Sequence, residues 1–308
     1  MAKKVLIAAD VDRTLIERLT ADPRFEVTLR PVKSEEELAA IVGDCEILVT
    51  RAYSKVTRRV LEAAPRLAII AQGTSGTDNI DDAAARERGI RILSLPGENA
   101  NAVAELVIGF LIAMTRTIPR YTREVVAGLW QRDDCATRHE LAHHTLGVIG
   151  LGQVGSRVAR LARAFSMRVV AFDPYVDDFS ARNAERAATL DELLPVADIL
   201  SLHVPLTNET RRMIAAPQLA ALKPGSYVVN ASRGEVLDQG AALAALESRH
   251  LAGLALDVFD PEPPGGGFPD DPRLVLTPHV AGCTFEAKAQ IGRKLYEMLT
   301  AGELTVDG

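Results

Sequence analysis

Three charged side chains that could act on one small substrate lie in the second half of the sequence. Arg233, Glu262 and His279 each follow a short apolar segment that we predict to be a β-strand, and open α/β sheets bind ligands beyond the carboxyl ends of their strands. A guanidinium can hold a carboxylate and polarise a carbonyl, a histidine can protonate the carbonyl oxygen, and a carboxylate can orient the histidine. Alone, each residue also fits an ordinary interpretation as a turn arginine, a solvated loop carboxylate or a core histidine. Together, at three strand ends, they predict catalysis on a carbonyl beside a carboxylate.

A glycine-rich turn stands where such a sheet would bind a nucleotide. The run Gly150-Leu151-Gly152-Gln153-Val154-Gly155 follows the predicted strand Thr145–Ile149 and opens an apolar helix. In this motif the first glycine permits a tight turn, the second lets backbone N–H groups approach a pyrophosphate, and the third allows close packing of helix and strand. A turn without a ligand is the alternative. The flanking strand and helix favour dinucleotide binding by Gly150, Gly152, Gln153, Val154 and Gly155.

An acidic residue ends the strand that follows this helix. Asp173 lies 18 residues after Gly155, where a carboxylate can accept hydrogen bonds from the adenosine ribose and would repel a 2′-phosphate. The next residues are Pro174 and Tyr175, not an arginine. A turn former before proline is the ordinary alternative. The spacing predicts that the cofactor is NAD, not NADP.

Short apolar strands alternate with helical patterns along most of the chain, which predicts parallel sheets covered by helices. The first strand ends in Ala9-Asp10-Val11-Asp12-Arg13, without glycine, so only the second series can hold a pyrophosphate and the first is predicted to be a substrate domain. A polar stretch from 120 to 144, with no predicted element, follows one long apolar helix. The predicted strands cover residues 4–9, 25–29, 46–50, 67–71, 91–95, 145–149, 168–172, 199–203, 227–231, 254–258 and 274–277, and the predicted helices cover 14–20, 34–42, 57–64, 81–88, 101–117, 158–164 and 284–300.

Composition narrows the class of protein. The 308 residues are 47% hydrophobic and 25% charged, which is typical of a globular protein with room for two domains. A net charge of -6 without a basic run argues against nucleic-acid binding. We expect no signal peptide or membrane span, and no metal site. Three widely spaced cysteines predict a reducing, cytoplasmic location.

These motifs, in this order, resemble the D-isomer-specific 2-hydroxyacid dehydrogenases, most closely the 3-phosphoglycerate dehydrogenase branch. The resemblance extends from Leu48-Val49-Thr50-Arg51 to Thr277-Pro278-His279-Val280-Ala281-Gly282. It implies two Rossmann-like or flavodoxin-like parallel-sheet domains with an active-site cleft between them. The implied substrate domain is discontinuous (1–98 and 280–308) and the NAD-binding domain covers 99–279. The resemblance further implies a short form without a regulatory domain and a homodimer formed around the helix at 101–117.

The resemblance also implies further site residues. The loop Gly73-Thr74-Ser75-Gly76-Thr77-Asp78-Asn79 is similar to one whose N–H groups hold the substrate carboxylate. Asp257 matches the residue that holds the nicotinamide carboxamide. The implied contacts with NAD are Gly150, Gly152, Gln153, Val154, Gly155, Asp173, Val204, Pro205, Thr207, Ala231, Ser232, Arg233, Asp257, His279 and Gly282, and those with substrate are Arg51, Thr74, Ser75, Gly76 and Arg233.

One departure from the branch concerns the substrate. Gln72 occupies the position where 3-phosphoglycerate enzymes usually carry a phosphate-binding arginine, so Arg51, which matches a second such arginine, would act alone. Clustered or bidentate arginines are the usual phosphate ligands. The predicted reaction is NAD-dependent interconversion of a D-2-hydroxy acid and its 2-oxo acid, with 3-phosphoglycerate as one substrate and hydroxypyruvate or glyoxylate as the alternative.

Two other classes of protein use parts of this pattern. A nucleotide-dependent methyltransferase shares the glycine turn and strand-end acid but has no use for Arg233, Glu262 and His279. An NAD(H)-sensing binding protein of this fold could keep all three. A formate dehydrogenase role is disfavoured, since that branch pairs its histidine with glutamine. Trp130 is predicted to be a structural anchor and Cys283 a small packing residue.

Overall fold

The computed structural model describes residues 2–74, 76–132 and 135–301. The chain divides into two compact units, one formed by Met1–Asn99 with Cys283–Gly308 (unit 1) and the other by Ala100–Gly282 (unit 2). The strands are β1 Lys3–Ile7, β2 Phe25–Leu29, β3 Ile47–Thr50, β4 Ile69–Gln72, β5 Arg91–Leu93, β6 Thr145–Ile149, β7 Arg168–Phe172, β8 Glu185–Arg186, β9 Ile199–Leu202, β10 Ser226–Asn230, β11 Leu251–Leu256 and β12 Leu274–Leu276. The helices are α1 Arg13–Ala21, α2 Glu35–Ile41, α3 Arg58–Glu62, α4 Asp82–Glu87, α5 Ala100–Thr115, α6 Ile118–Val126, α7 Gln153–Ala164, α8 Leu190–Leu193, α9 Ala216–Ala221, α10 Gln239–Glu247 and α11 Phe285–Thr300.

Unit 1 is built on a five-stranded parallel sheet in the order β2-β1-β3-β4-β5. Apolar side chains alternate between the two faces, so each face carries its own core. One core takes Ile291, Leu295 and Leu299 from α11, at the far end of the chain. The C-terminal helix therefore completes the unit that the first hundred residues begin.

Unit 2 is built on a seven-stranded parallel sheet in the order β12-β11-β10-β9-β6-β7-β8. The helix α5 packs on α7, β10 and β11, and its side chains Val107 and Leu111 are fully buried. Because all seven strands run in the same direction, their carboxyl ends lie along one edge of the sheet. The predicted α/β architecture with two parallel sheets is confirmed.

Several short elements were absent from the sequence prediction. The elements α8, α9, α10 and β8 are only two to nine residues long, too short for the periodicity of their apolar residues to mark them clearly. The helix α6 lies mostly in the polar stretch for which the sequence predicts no element, and Pro119 occupies its first turn, where a missing N–H costs nothing.

Two predictions about single residues are wrong. The side chain of Trp130 is 80% exposed and does not anchor the fold of this chain. Cys283 is exposed as well, so it is not a packing residue.

Among the described residues no single helix is long and apolar enough to cross a membrane, and only the bent pair α5 and α6, at 62°, has that length and composition together.

Candidate active site

The glycine turn between β6 and α7 is shaped by close packing at two of its three glycines. Gly150 has φ +85°, and a Cβ there would lie 2.5 Å from the carbonyl oxygen of His203. A Cβ on Gly155 would lie 2.0 Å from the carbonyl oxygen of Gly150. At Gly152, by contrast, a Cβ would meet nothing within 4 Å. The space beside the second glycine is therefore open to an approaching ligand.

The N-terminus of α7 faces this space and gives it a positive electrostatic potential. The helix begins at Gln153, and its N-cap Gly152 has no side chain with which to accept from the first N–H groups. Such N–H groups and the helix dipole together attract an anion. The side chain of Gln153 is held by Arg157, whose Nη1 donates to Gln153 Oε1 at 2.8 Å. The turn thus fits the pyrophosphate of a dinucleotide.

Asp173, which follows β7, also holds the glycine turn by a hydrogen bond. Its Oδ2 accepts from the N–H of Leu151 at 2.7 Å, and its Oδ1 accepts from the N–H of Tyr175 at 2.9 Å. A carboxylate oxygen can accept a second hydrogen bond, so both oxygens retain capacity for ribose hydroxyls. Sequence analysis identified only the ligand role and missed the structural one. The turn and the acid together fit the adenosine half of NAD.

Arg233 is carried by a turn that β10 and a neighbouring loop hold in place. Asn230, buried at the end of β10, donates through Nδ2 to the carbonyl oxygen of Arg233 at 2.8 Å and accepts from Ser232 N–H at 3.1 Å. A Cβ on Gly234 would lie 1.9 Å from the carbonyl oxygen of Phe259. Only glycine allows this approach, so the Arg233 turn is packed against the segment that leads to Glu262.

Glu262 connects that segment to His279. Its Oε1 accepts from the N–H of Phe259 at 2.9 Å, while its Oε2 lies 2.8 Å from His279 Nδ1. Burial alone would raise the pKa of the Glu262 carboxyl. The hydrogen bond and charge of His279, the Phe259 N–H and the charge of Arg233 outweigh burial and lower that pKa below its ordinary value. The structure thus brings Glu262 and His279 into direct contact and places Arg233 near enough to act on Glu262 by charge.

The loop that carries His279 is held by Asp257, which is fully buried. Its Oδ1 accepts from Thr277 Oγ1 at 2.5 Å and Val280 N–H at 2.9 Å, and its Oδ2 accepts from Ala281 N–H at 2.9 Å. The N–H of His279 donates to the Asp257 carbonyl oxygen at 2.8 Å. These bonds keep His279 in a left-handed conformation, with φ +53°, that a non-glycine residue seldom adopts. Sequence analysis missed this positioning role; the contact of Asp257 with nicotinamide remains a prediction.

His203 lies behind the glycine turn, and sequence analysis assigned it no role. Its Nε2 lies 2.8 Å from Ser201 Oγ, and desolvation lowers the pKa of its ring to about 4. The imidazole is therefore neutral at physiological pH and packs as part of the scaffold. The sequence feature that points to this scaffold role of His203 is its position at the end of a predicted buried strand, immediately before Val204 and Pro205.

The remaining predicted cofactor residues lie at the same edge of the unit 2 sheet, and their contacts with NAD stay predictions. These are Val204, Pro205 and Thr207 after β9, Ala231 and Ser232 after β10, and Gly282 after β12.

In unit 1, the described residues of the predicted carboxylate loop (73–74 and 76–79) surround the side chain of Gln72. This side chain is fully buried, and its Nε2 lies 3.0 Å from Thr74 Oγ1, 2.9 Å from the Gly76 carbonyl oxygen and 2.8 Å from Asn79 Oδ1. Asn79 Nδ2 donates in turn to the carbonyl oxygen of Arg51 at 3.1 Å. Gln72 is therefore an internal brace of the loop. The predicted role of Ser75 lies outside the described residues.

Comparison with known proteins identifies the family. Residues 108–281, more than half of the chain, match the model of the D-isomer specific 2-hydroxyacid dehydrogenase, NAD binding domain. The chain therefore belongs to the D-isomer-specific 2-hydroxyacid dehydrogenases, as its motifs predict, and its central part is their NAD-binding domain.

Individual relatives agree with this family. The D-3-phosphoglycerate dehydrogenase of Archaeoglobus fulgidus is 38% identical over 96% of this chain and 56% of its own length, so the chain spans little more than half of that relative. A solved structure of the TT0316 protein from Thermus thermophilus superposes with a TM-score of 0.87 at 33% identity, covering 96% of this chain and 94% of the other. The D-lactate dehydrogenase from Aquifex aeolicus, solved with NAD and lactic acid, gives a TM-score of 0.87 at 26% identity, covering 97% and 95%.

Proposed function

We propose that the chain catalyses the NAD-dependent interconversion of a D-2-hydroxy acid and its 2-oxo acid. The observation that supports this most directly is the 2.8 Å contact between His279 and Glu262 at the sheet edge that also carries the glycine turn. A proton donor, its carboxylate partner and a dinucleotide cradle on one edge are the parts that such a reaction needs.

The proposed roles follow from the chemistry of each side chain. The cofactor, when bound, would supply a hydride to the substrate C2 as NADH, or accept one from it as NAD⁺. Arg233 holds the substrate carboxylate and polarises the carbonyl, whose developing negative charge it stabilises. His279 donates a proton to the carbonyl oxygen from Nε2, because Nδ1 faces Glu262, and Glu262 stabilises the protonated imidazole. In oxidation the same histidine takes the proton back.

Unit 1 supplies the proposed substrate residues. We assign the carboxylate loop, through the N–H groups around Ser75 and Gly76, to the substrate carboxylate, and Arg51 to the rest of the substrate. The name shared by the curated relatives, D-3-phosphoglycerate dehydrogenase, supports a phosphorylated substrate; hydroxypyruvate or glyoxylate is the second candidate.

The test is an assay of 2-oxo acid reduction with NADH and, separately, NADPH. The acids are 3-phosphohydroxypyruvate, hydroxypyruvate, glyoxylate and pyruvate. We expect turnover of at least one acid with NADH and a loss of at least about 100-fold in His279→Asn. His143→Asn, which changes an exposed surface histidine, is the matched control and should keep full activity. NADH binding without turnover of any acid would favour an NAD(H)-sensing protein, and activity that survives His279→Asn would exclude the proposed mechanism.

We also propose that the chain forms a homodimer through the region of α5 and α6. The described residues of α6 and the segment after it expose Ile118, Val125, Val126, Leu129 and Trp130, with Val126 84% exposed. Clustered apolar side chains on a surface are typical of an interface. Val126→Glu should yield a monomer in analytical ultracentrifugation, while Leu29→Glu, at another exposed apolar position, should not. A dimer that persists in Val126→Glu would contradict this assignment.

A cytoplasmic location is the remaining proposal. It is supported by the odd number and wide spacing of Cys45, Cys135 and Cys283 in the sequence, which do not form the disulfide framework typical of oxidising compartments.

A further inference from the structure

Leu151, between the first two glycines of the glycine turn, is held at both of its backbone polar groups by side chains that follow β7. Its N–H donates to Asp173 Oδ2 at 2.7 Å, and its carbonyl oxygen accepts from Arg182 Nη1 at 2.6 Å. No other hydrogen bond to that oxygen is formed within the described part of the chain. Asp173 is a predicted contact of NAD, whereas neither the sequence analysis nor the proposed mechanism gives Arg182 a role.

The two hydrogen bonds fix different peptide groups. The N–H of Leu151 belongs to the peptide that begins at Gly150, whose carbonyl oxygen is also packed against Gly155. The carbonyl oxygen of Leu151 belongs to the next peptide, which ends at Gly152. Because glycine adopts positive and negative φ angles almost equally well, this second peptide could rotate while the buried side chain of Leu151 stays in place. Arg182 therefore restrains the one peptide of the turn that the sequence of the turn leaves free to rotate.

The orientation of the Leu151–Gly152 peptide decides which end of its dipole faces a bound anion. A trans peptide is planar, and its C=O and N–H groups point in opposite directions. While Arg182 holds the Leu151 oxygen, the N–H of Gly152 is directed to the other side of the turn. A half-turn of this peptide would place a carbonyl oxygen there instead. That oxygen would repel the anion that the nearby N-terminus of α7 attracts.

The backbone that carries Arg182 is itself anchored to unit 2. Phe179 is buried in the core of this unit, and its carbonyl oxygen accepts from the N–H of Arg182 at 3.1 Å. The Oδ1 atom of Asp178 accepts from the N–H of Ala181 at 2.9 Å. A side chain on an anchored backbone loses less conformational freedom when it forms a hydrogen bond. The charge-assisted bond from Arg182 to Leu151 is therefore suited to holding the turn in one conformation.

We propose that Arg182 is a positioning residue for the cofactor pyrophosphate, and that it acts through the Leu151–Gly152 peptide without touching the cofactor. The inference rests on the proposed binding of NAD at the glycine turn and adds a residue that keeps this turn ready for an anion. Its effect is confined to the pyrophosphate, because the peptide that it holds lies at the N-terminus of α7, whereas the adenosine is assigned to Asp173.

The experiment measures the binding of ADP-ribose, which contains the pyrophosphate, and of adenosine, which does not, to the full chain by isothermal titration calorimetry. Arg182→Met removes the guanidinium and keeps an unbranched side chain. We expect it to raise the Kd of ADP-ribose about three- to tenfold and to leave the Kd of adenosine unchanged. Arg182→Lys keeps a donor and the charge and should recover part of the affinity. The matched control is Arg168→Met, which removes the same charge from an arginine of unit 2 that pairs with Glu185, and it should change neither Kd.

The possible outcomes separate the inference from the proposed function. A raised KM for NADH in Arg182→Met, with kcat at saturating NADH preserved, would support the positioning role. Equal losses of affinity for ADP-ribose and adenosine, or the same loss in Arg168→Met, would overturn it, because Arg182 would then act on the adenosine or through general charge. An unchanged affinity for ADP-ribose in Arg182→Met would also overturn it and leave the dehydrogenase assignment intact. A wild-type chain that binds neither NADH nor ADP-ribose would contradict the proposed function itself, and the inference with it.

Discussion

The Nδ1 atom of His279 lies 2.8 Å from the Oε2 atom of Glu262, and the other carboxylate oxygen accepts from the N–H of Phe259. The same side chain therefore orients the imidazole and fixes the loop before it. Because the pKa of Glu262 is lowered, this carboxylate stays ionised in mild acid. The favourable pairing is present above the unfolded-state pKa of a glutamate and is lost as pH falls through the lowered folded-state pKa.

Replacing Glu262 by Gln should alter the pH profile as well as the rate. The amide keeps the approximate shape but carries no negative charge to stabilise a protonated imidazole. We expect a fall of about 100-fold in kcat/KM for reduction and a shift of its upper pH limit towards acid, measured from about pH 5 to 9. A lower rate with an unshifted profile would show that Glu262 acts only on the structure of the loop.

Two alanine substitutions in the glycine turn should have opposite consequences. Gly155→Ala places a Cβ 2.0 Å from a backbone oxygen and should destabilise unit 2 by about 2 kcal/mol or more. Gly152→Ala places a Cβ in open space at a residue with φ -74°, so the melting temperature should not change. Its Cβ would nevertheless occupy the approach of the pyrophosphate, and NADH affinity should fall at least about tenfold. Thermal unfolding and NADH fluorescence titration on both variants separate the two effects; unaltered NADH binding by Gly152→Ala would place the pyrophosphate elsewhere.

The carboxylate of Asp173 should determine the choice of cofactor. Asp173→Asn removes the negative charge but keeps one side-chain oxygen, which can still accept from Leu151 N–H. The ratio of kcat/KM for NADH to that for NADPH should fall about tenfold, because repulsion of a 2′-phosphate is removed. Steady-state kinetics with both cofactors measure this ratio. If it stays constant, Asp173 serves the turn alone.

The cysteines should differ sharply in reactivity. Burial raises the pKa of the Cys45 thiol to about 12, whereas Cys135 and Cys283 are exposed. The thiolate is the reactive species, so native protein at about pH 8 should be alkylated by iodoacetamide at Cys135 and Cys283 and spared at Cys45. Peptide mass spectrometry gives the labelling at each position, with urea-unfolded protein as the control in which all three react. Rapid labelling of Cys45 in the native protein would contradict its burial.

Much of the fold followed from local patterns in the sequence. Apolar runs at strand length, each followed by a helical pattern, predict parallel sheets because such strands are buried on both faces. The glycine spacing in Gly150–Gly155 and the acid at Asp173 are also local, since one βα unit brings them together. Arg233, Glu262 and His279 could be grouped because their strands end at one edge of a parallel sheet.

Other features depended on contacts between distant segments. The wrong prediction for Trp130 arose because an aromatic side chain usually lies in a core, and only the tertiary structure shows that this one, after the end of α6, is exposed. The sequence alone shows that Gln72 differs from the residue usual at its position in the resembling branch. Its hydrogen bonds to the loop exist only because the loop folds back over it.

The sequence by itself determined which side chains could do chemistry and which strand each one follows, because periodicity and motif spacing act within a few residues. The tertiary structure alone decided that Asp257 holds the His279 loop and that Lys288 forms an ion pair with Asp10, 278 residues away in the chain. Hydrogen bonds and ion pairs depend on distances of a few ångströms. Those distances are set only when separate strands and helices pack together, so no local pattern records them.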